Sequence, residues 1–223
     1  MIVQSVVLLA VQLTAAPAFA QPLAAAAKPC EQNTTRLVVD LQRSAIKWKG
    51  TKFRGLGSHE GTVALRAGEV CLRQSQIVRA LFVADMRSIQ VTDIPATDPV
   101  PRNRLRDHLI GEDFFHVTKY PEAVLFINAV RNENRSLHVV TGTLTMRGIT
   151  HPVTFYARVW EQSPTRLRAN ATLELDRHRW GVSYRGSALR DDLVDDEFTL
   201  ELSLVAGPPA AVVGDLGPGS RER

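Results

Sequence analysis

The 223-residue chain predicts an all-β fold: an eight-stranded antiparallel barrel with one short helix in a long connection at the rim. Three observations carry that expectation. Apolar residues recur at every second position through most of the chain, only one stretch has helical spacing, and two connections are far longer than hairpins. A sheet with one apolar and one polar face must hide the apolar one, and a single short helix cannot cover eight strands. Closure into a barrel hides the face and removes the free edges; an open sandwich is the second solution.

The elements follow in order. "SAIKWKG" places Ile46 and Trp48 on one face, and "GTVALRA" does the same with Val63 and Leu65. In "IVRALFVADM", Phe82, Ala84 and Met86 point inward, opposite Arg79, Asp85 and Arg87. The first long connection, residues 87–121, contains "PRNRLRDHLI", where Pro101 suits a helix start, Leu105 and Leu109 lie one turn apart, and Gly111 suits the end. Phe114 and Phe115 follow side by side, so strand alternation would turn one ring inward and leave the other exposed as a lid or ligand contact. "AVLFINA" supplies Leu125 and Ile127, and "RNENRS" is a hairpin connection to "VVTGTLTM", with Val140, Gly142, Leu144 and Met146 on one face. "PVTFYARVW" aligns Val153, Phe155, Ala157 and Val159. "TRLRANATLELD" aligns Leu167, Ala169, Ala171, Leu173 and Leu175. After a second long connection, residues 176–196, "EFTLELSLV" aligns Phe198, Leu200, Leu202 and Leu204.

In an up-and-down order the long connections follow the third and seventh strands, so both lie at the same end of the barrel. That rim would carry Leu105, Leu109, Phe114 and Phe115 from one loop and Trp180, Val182 and Tyr184 from the other. On the inward face Ala84, Gly142, Ala157, Ala169 and Ala171 are small. An eight-stranded barrel is either filled by side chains or holds one small ligand, and small residues at its waist favour a cavity. Rings that merely plug the barrel end are the alternative. Burying about 600 Å2 of hydrocarbon at roughly 25 cal/mol/Å2 is worth about 15 kcal/mol gross. Association costs about 4 to 15 kcal/mol, so such walls favour a long aliphatic chain over a small polar metabolite.

The ends and charges set the context. Residues 1–20 are uncharged and apolar and end in Ala18-Phe19-Ala20, which predicts a secretory signal peptide and a periplasmic or secreted protein, although no Lys or Arg precedes the apolar run. Residues 21–35 read as a linker, 36–206 as the folded domain and 207–223 as a loose Pro- and Gly-rich tail. In an oxidising compartment Cys30 and Cys71 can pair, two unpaired thiols being the alternative. The net charge of +4 is spread along the chain, which argues against nucleic-acid binding and supports only transient attraction to an anionic membrane surface. Arg102, Arg104 and Arg106 are expected on a solvated helix face. The six histidines form no metal-ligand motif; surface or turn roles are expected, with His151 in a "THP" turn. His108 beside Asp107 has no accompanying nucleophile motif, so no catalytic residue and no enzyme activity are assigned.

Four stretches resemble the YceI-like family of exported lipocalin-like proteins: "ADMRSI", "HLIGEDFFHVTKYP", "VTGTLTMRGITHPVTF", and "LDRHRWGVSYRG" with "DEFTLELSLV", in the family's order. The resemblance implies a lipocalin-like barrel that binds a polyisoprenoid chain, an isoprenoid quinone or polyprenol, in the periplasm. Carried over residue by residue, it implies Phe82, Met86, Phe114, Phe115, Leu125, Leu144, Phe155 and Trp180 as lining. The rim and the inward face add Leu105, Leu109, Met146, Ala169 and Ala171. "IKWKGTKF" departs from members with a His on that strand, and "TDIPATDPVPRNR" is a longer, Pro-rich lead-in to the helix that bears on head-group specificity. A carrier, store or scavenger is the expected role. An accessory module for a membrane redox protein, or an enzyme acting on a lipid in the barrel, are the alternatives; the oligomeric state, a homodimer included, is left open.

Overall fold

The computed structural model describes residues 30–183 and 194–209. The expected signal peptide, Tyr184 and most of the expected tail lie outside the described residues. Nine strands, one α-helix and a 3-10 turn fill the described part: β1 (Thr35–Val39), β2 (Ala45–Lys52), β3 (Gly57–Arg73), β4 (Gln76–Val91), α1 (Pro99–Ile110), β5 (Glu122–Asn132), β6 (Leu137–Met146), β7 (Ile149–Ser163), β8 (Arg166–Asp176), the 3-10 turn Arg177–Trp180 and β9 (Val194–Gly207).

These strands make eight staves. β1 and β2 run in the same direction in the gap between β3 and β9. β1 pairs with the far half of β3 and the end of β9 (Leu37↔Val70, Val39↔Ala206), and β2 with the near halves (Ile46↔Val63, Ile46↔Leu202). They are one stave broken at residues 40–44, where Asp40 caps Gln42 and Arg43 and the Ser44 hydroxyl bridges to Val205. From β3 to β9 every neighbour pairs antiparallel, and the β3–β4 and β2–β9 ladders close the ring. The barrel expected from the period-two pattern is the observed architecture.

Sequence and structure differ in extent. β1 has too few residues to show alternation, and residues 69–73 continue β3. β3 and β4 run 17 and 16 residues because bulges at Thr62/Ala64, Leu65/Ala67 and Cys71/Leu72 shift the register. Each bulge inserts a residue and resets which side chains face inward, so the pattern looks shorter than the strand. The first long connection accordingly begins at residue 92. The helix starts at Pro99, two residues before Pro101, and Arg102 Nε donates to the Val91 carbonyl at 2.9 Å. Arg102 therefore straps α1 to the end of β4 instead of facing solvent.

Gly111 ends the helix, and Phe115 N and Val117 N donate back to Leu109 O and Ile110 O. The Phe pair thus lies in a tight turn, where strand alternation does not apply. Both rings are half-buried and meet edge to face at 5.1 Å. Cys30 and Cys71 form a disulfide with Cα atoms 5.5 Å apart, so the chain just before β1, expected as linker, is tied to β3.

Candidate functional site

The barrel is hollow. At the end carrying α1 it encloses a cavity of about 190 Å3, and below it lies a second of about 60 Å3. Of the expected lining residues, Phe82, Met86, Leu105, Leu109, Phe114, Phe115, Leu125, Leu144 and Met146 surround the upper cavity. Phe155, Ala169 and Ala171 line the lower one, where Phe82 and Leu125 also appear. Trp180 lines neither. It is fully buried behind the wall, its indole N–H donating to Leu144 O at 3.1 Å and its ring edge-on to His151 at 5.4 Å. A buried indole needs a partner for its N–H, and the β6 carbonyl supplies one.

The small inward residues divide by cause. Ala84 lines the upper cavity and Ala157, Ala169 and Ala171 the lower. Gly142 lines neither: a Cβ there would collide with the Phe126 carbonyl oxygen, so glycine serves close strand approach.

α1 and its following turn form the roof. Leu105 and Leu109 face the cavity one turn apart, and Phe114 and Phe115 continue that surface. His108, on the same helix, also borders the cavity, with its ring 5.3 Å from Phe114. Burial lowers its pKa, opposed in part by the negative charge of Asp113.

Among the described residues, the polar side chains of the upper cavity gather at the mouth: Thr51, Lys52, His59, His108, Arg177, Asp195 and Glu197. His59 Nδ1 lies 2.8 Å from Asp93 Oδ2 and its Nε2 3.4 Å from Lys52 Nζ. Burial raises the Asp93 pKa, but the hydrogen bonds from His59 and from the Glu60 N–H, with the His59 charge, hold it below the usual value. Arg177 is buried, and its guanidinium donates to the carbonyls of Val182, Val194 and Asp195 at 3.1, 3.2 and 3.2 Å. It thereby ties together the two chain segments that flank residues 184–193. Asp195 accepts from the Arg54 and Gly55 N–H groups at 2.8 and 2.9 Å, in the left-handed turn joining β2 to β3. A hydrogen bond from the Thr51 side chain lowers its pKa most, with those two N–H groups assisting against desolvation.

Sequence reading missed this polar ring because its members come from segments far apart in the chain. It also missed Trp48, Val63, Ile89 and Phe198 as lining, although inward alternation marks three of them. Several histidines depart from the expected surface or turn roles: His59 and His108 border the upper cavity, and His138 is buried in β6 beside the lower one. His151 lies within β7, not in a turn. Among the described residues one cluster, Cys30, Glu69 and Cys71, brings metal-ligating atom types together. Its sulfurs are bonded to each other, and a disulfide offers no thiolate to a metal.

A closed antiparallel barrel with a hollow, largely apolar interior, a helical roof and a ring of polar groups at its mouth defines a lipocalin-like protein of the ligand-cavity kind. The chain belongs to the YceI-like family, whose YceI-like domain matches residues 37–206. A UPF0312 protein of Pseudomonas putida strain GB-1 is 33% identical over 99 residues, 42% of this chain and 50% of that protein. Protein YceI of Shigella flexneri is 40% identical over 52 residues, 23% of this chain and 27% of that one. In these alignments the chain spans half or less of the length of the curated relatives it matches. Among solved structures, BcnA of Burkholderia cenocepacia superposes with TM-score 0.59 at 20% identity, over 75% of this chain and 98% of that one. A polyisoprenoid binding domain from Saccharophagus degradans, implicated in plant cell wall breakdown, gives 0.57 at 17% identity, over 79% and 99%. At those identities the likeness is one of fold.

Proposed function

We infer that this protein is exported and holds a polyisoprenoid chain, an isoprenoid quinone or a polyprenol, in the upper cavity as a carrier, store or scavenger. The carrying observation is the division of the cavity into carbon-lined walls and a polar mouth. A hydrocarbon tail gains about 0.8 kcal/mol for each methylene it withdraws from water, and a polar head cannot follow it without losing hydrogen bonds. The tail therefore enters first and the head stops among Lys52, His59, His108 and Arg177. The solved polyisoprenoid binding domain with the same fold supports this choice of tail. The apolar N-terminal stretch supports export. A hollow interior favours a ligand role over that of an accessory module built on a solid barrel.

A transient contact with a membrane fits the same end of the molecule. The β2–β3 turn exposes Phe53 and Leu56, the latter 90% exposed, close in the chain to Lys52 and Arg54. Apolar tips beside cations suit the interface of an anionic bilayer, and would point the mouth at the source of the lipid.

Organic extraction of the purified protein followed by mass spectrometry tests the reading. An isoprenoid recovered in near-stoichiometric amount is expected. Protein that yields none, and takes up no prenol when offered it after delipidation, would refute it. An extracted isoprenoid that the protein converts on incubation would move the assignment to an enzyme.

A further inference from the structure

The two cavities are stacked along the barrel and share three wall residues: Phe82, Leu125 and Leu202. Above them the wall is built from the mouth-side parts of β2 through β6, β8 and β9; below, from the opposite parts of β3 through β9. Phe82 and Leu125 are direct cross-strand partners, and Leu202 enters from β9. On its other side Phe82 pairs with Gly68. A Cβ at Gly68 would come within 2.6 Å of Val39 Cγ2 and 3.2 Å of a Phe82 ring carbon, so the missing side chain makes room for Val39 and, beside it, for the ring. Beneath that ring the wall changes from Met86, Leu144 and Leu173 to Ala157, Ala169 and Ala171. Four alanines, Ala80, Ala157, Ala169 and Ala171, set among larger side chains such as Phe155, Leu167 and Ile127, leave an apolar volume under a phenyl floor.

We propose that Phe82, with Leu125 and Leu202, forms a floor that sets the length of hydrocarbon tail the barrel accepts, and that the apolar chamber below is a second subsite for the tail end, reached only when the floor opens. This rests on the reading that the upper cavity holds a tail. It deepens that reading by assigning chain-length selection to one side chain.

The experiment measures the affinity of delipidated protein for geraniol, farnesol, geranylgeraniol and a longer polyprenol, in the unaltered chain and in F82A, F82L and F82A/A171W. The unaltered chain is expected to show a length optimum. In F82A that optimum moves to longer alcohols, with the ratio of longest to optimal affinity rising at least about tenfold, since each added isoprene unit now buries several carbons. F82L moves it in the same direction by less and supplies the readout should F82A fail to fold, which circular dichroism reports. F82A/A171W, with the lower chamber refilled, returns the optimum to the original length. An unchanged length profile in folded F82A or F82L overturns the floor while leaving the tail-binding reading intact. Failure of the unaltered chain to bind any of the alcohols overturns both.

Discussion

Arg177 shows how one residue can hold a site together. Its guanidinium is buried and satisfied by three carbonyls, those of Val182, Val194 and Asp195, with the Asp196 carboxylate 3.6 Å away. Arg177→Met removes the charge but leaves those carbonyls facing an apolar side chain. The expected loss is about 3 kcal/mol, a drop in Tm of about 6 to 12 °C for a domain of this size, measured by thermal melting. His108 gives a pH dependence whose sign follows from its cause. Burial makes the folded imidazole harder to protonate than its ordinary value of 6.5, so below that pH the unfolded chain binds more protons than the folded one. Stability is then complete above about pH 6.5 and declines as the pH falls through it. Tm should fall between about pH 7 and pH 5, and His108→Gln should flatten that slope; an unaltered slope removes His108 as the cause. Asp93 and Asp195, both held below the usual carboxylate range, act in a separate window. Their contribution persists until the pH falls below about 4.

At the scale of elements, the interrupted first stave and its disulfide are the seam of the barrel. β1 has five residues, too few to hold a position alone, and the bond from Cys30 to Cys71 joins the chain ahead of it to β3. Closing a loop with a sequence separation of 41 is worth about 4 kcal/mol on the chain-entropy model. Reduction, or Cys30→Ala with Cys71→Ala, is expected to lower Tm by about 8 to 16 °C; an unchanged melt on reduction would show that β1 is held by its ladders alone. The β2–β3 turn is the second element with a role of its own. Asp195 and the left-handed residues Phe53, Arg54 and Gly55 fix its shape, so its exposed apolar tip does not arise from a frayed end. Phe53→Ser with Leu56→Ser should weaken sedimentation with anionic vesicles several-fold, by removing apolar area worth roughly 1 to 2 kcal/mol, without moving Tm. Equal sedimentation would remove the turn as a membrane contact.

For the whole molecule, the decisive property is that closure does not fill the interior. The upper cavity of about 190 Å3 lies where the roof helix and the Phe114–Phe115 turn cover the barrel mouth. Ala84, half-buried on β4 and facing that space, is the position at which to test it. Ala84→Trp fills the cavity with a ring at an overpacking cost of about 1 to 3 kcal/mol. Prenol affinity should fall at least about tenfold while the far-ultraviolet spectrum stays that of a β-barrel; full binding by A84W would place the ligand elsewhere.

The period-two pattern alone determined the class of fold, the number of staves and the end at which both long connections emerge, because alternation, strand count and connection length are properties of neighbours in the chain. Of the thirteen residues expected around a ligand, nine lie on one cavity: Phe82, Met86, Leu125, Leu144 and Met146 because inward positions on facing strands must converge once the sheet closes, and Leu105, Leu109, Phe114 and Phe115 because the roof covers that end. Three others turned out to belong to a lower chamber and Trp180 to the wall behind. Bulges, the helix strap from Arg102 and the indole's need for an acceptor are set by contacts between distant segments. The gathering of Lys52, His59, His108, Arg177 and Asp195 at one mouth was likewise decided only by the tertiary structure, since strands β2, β3 and β9 and the roof helix meet there although more than a hundred residues of chain separate the first from the last.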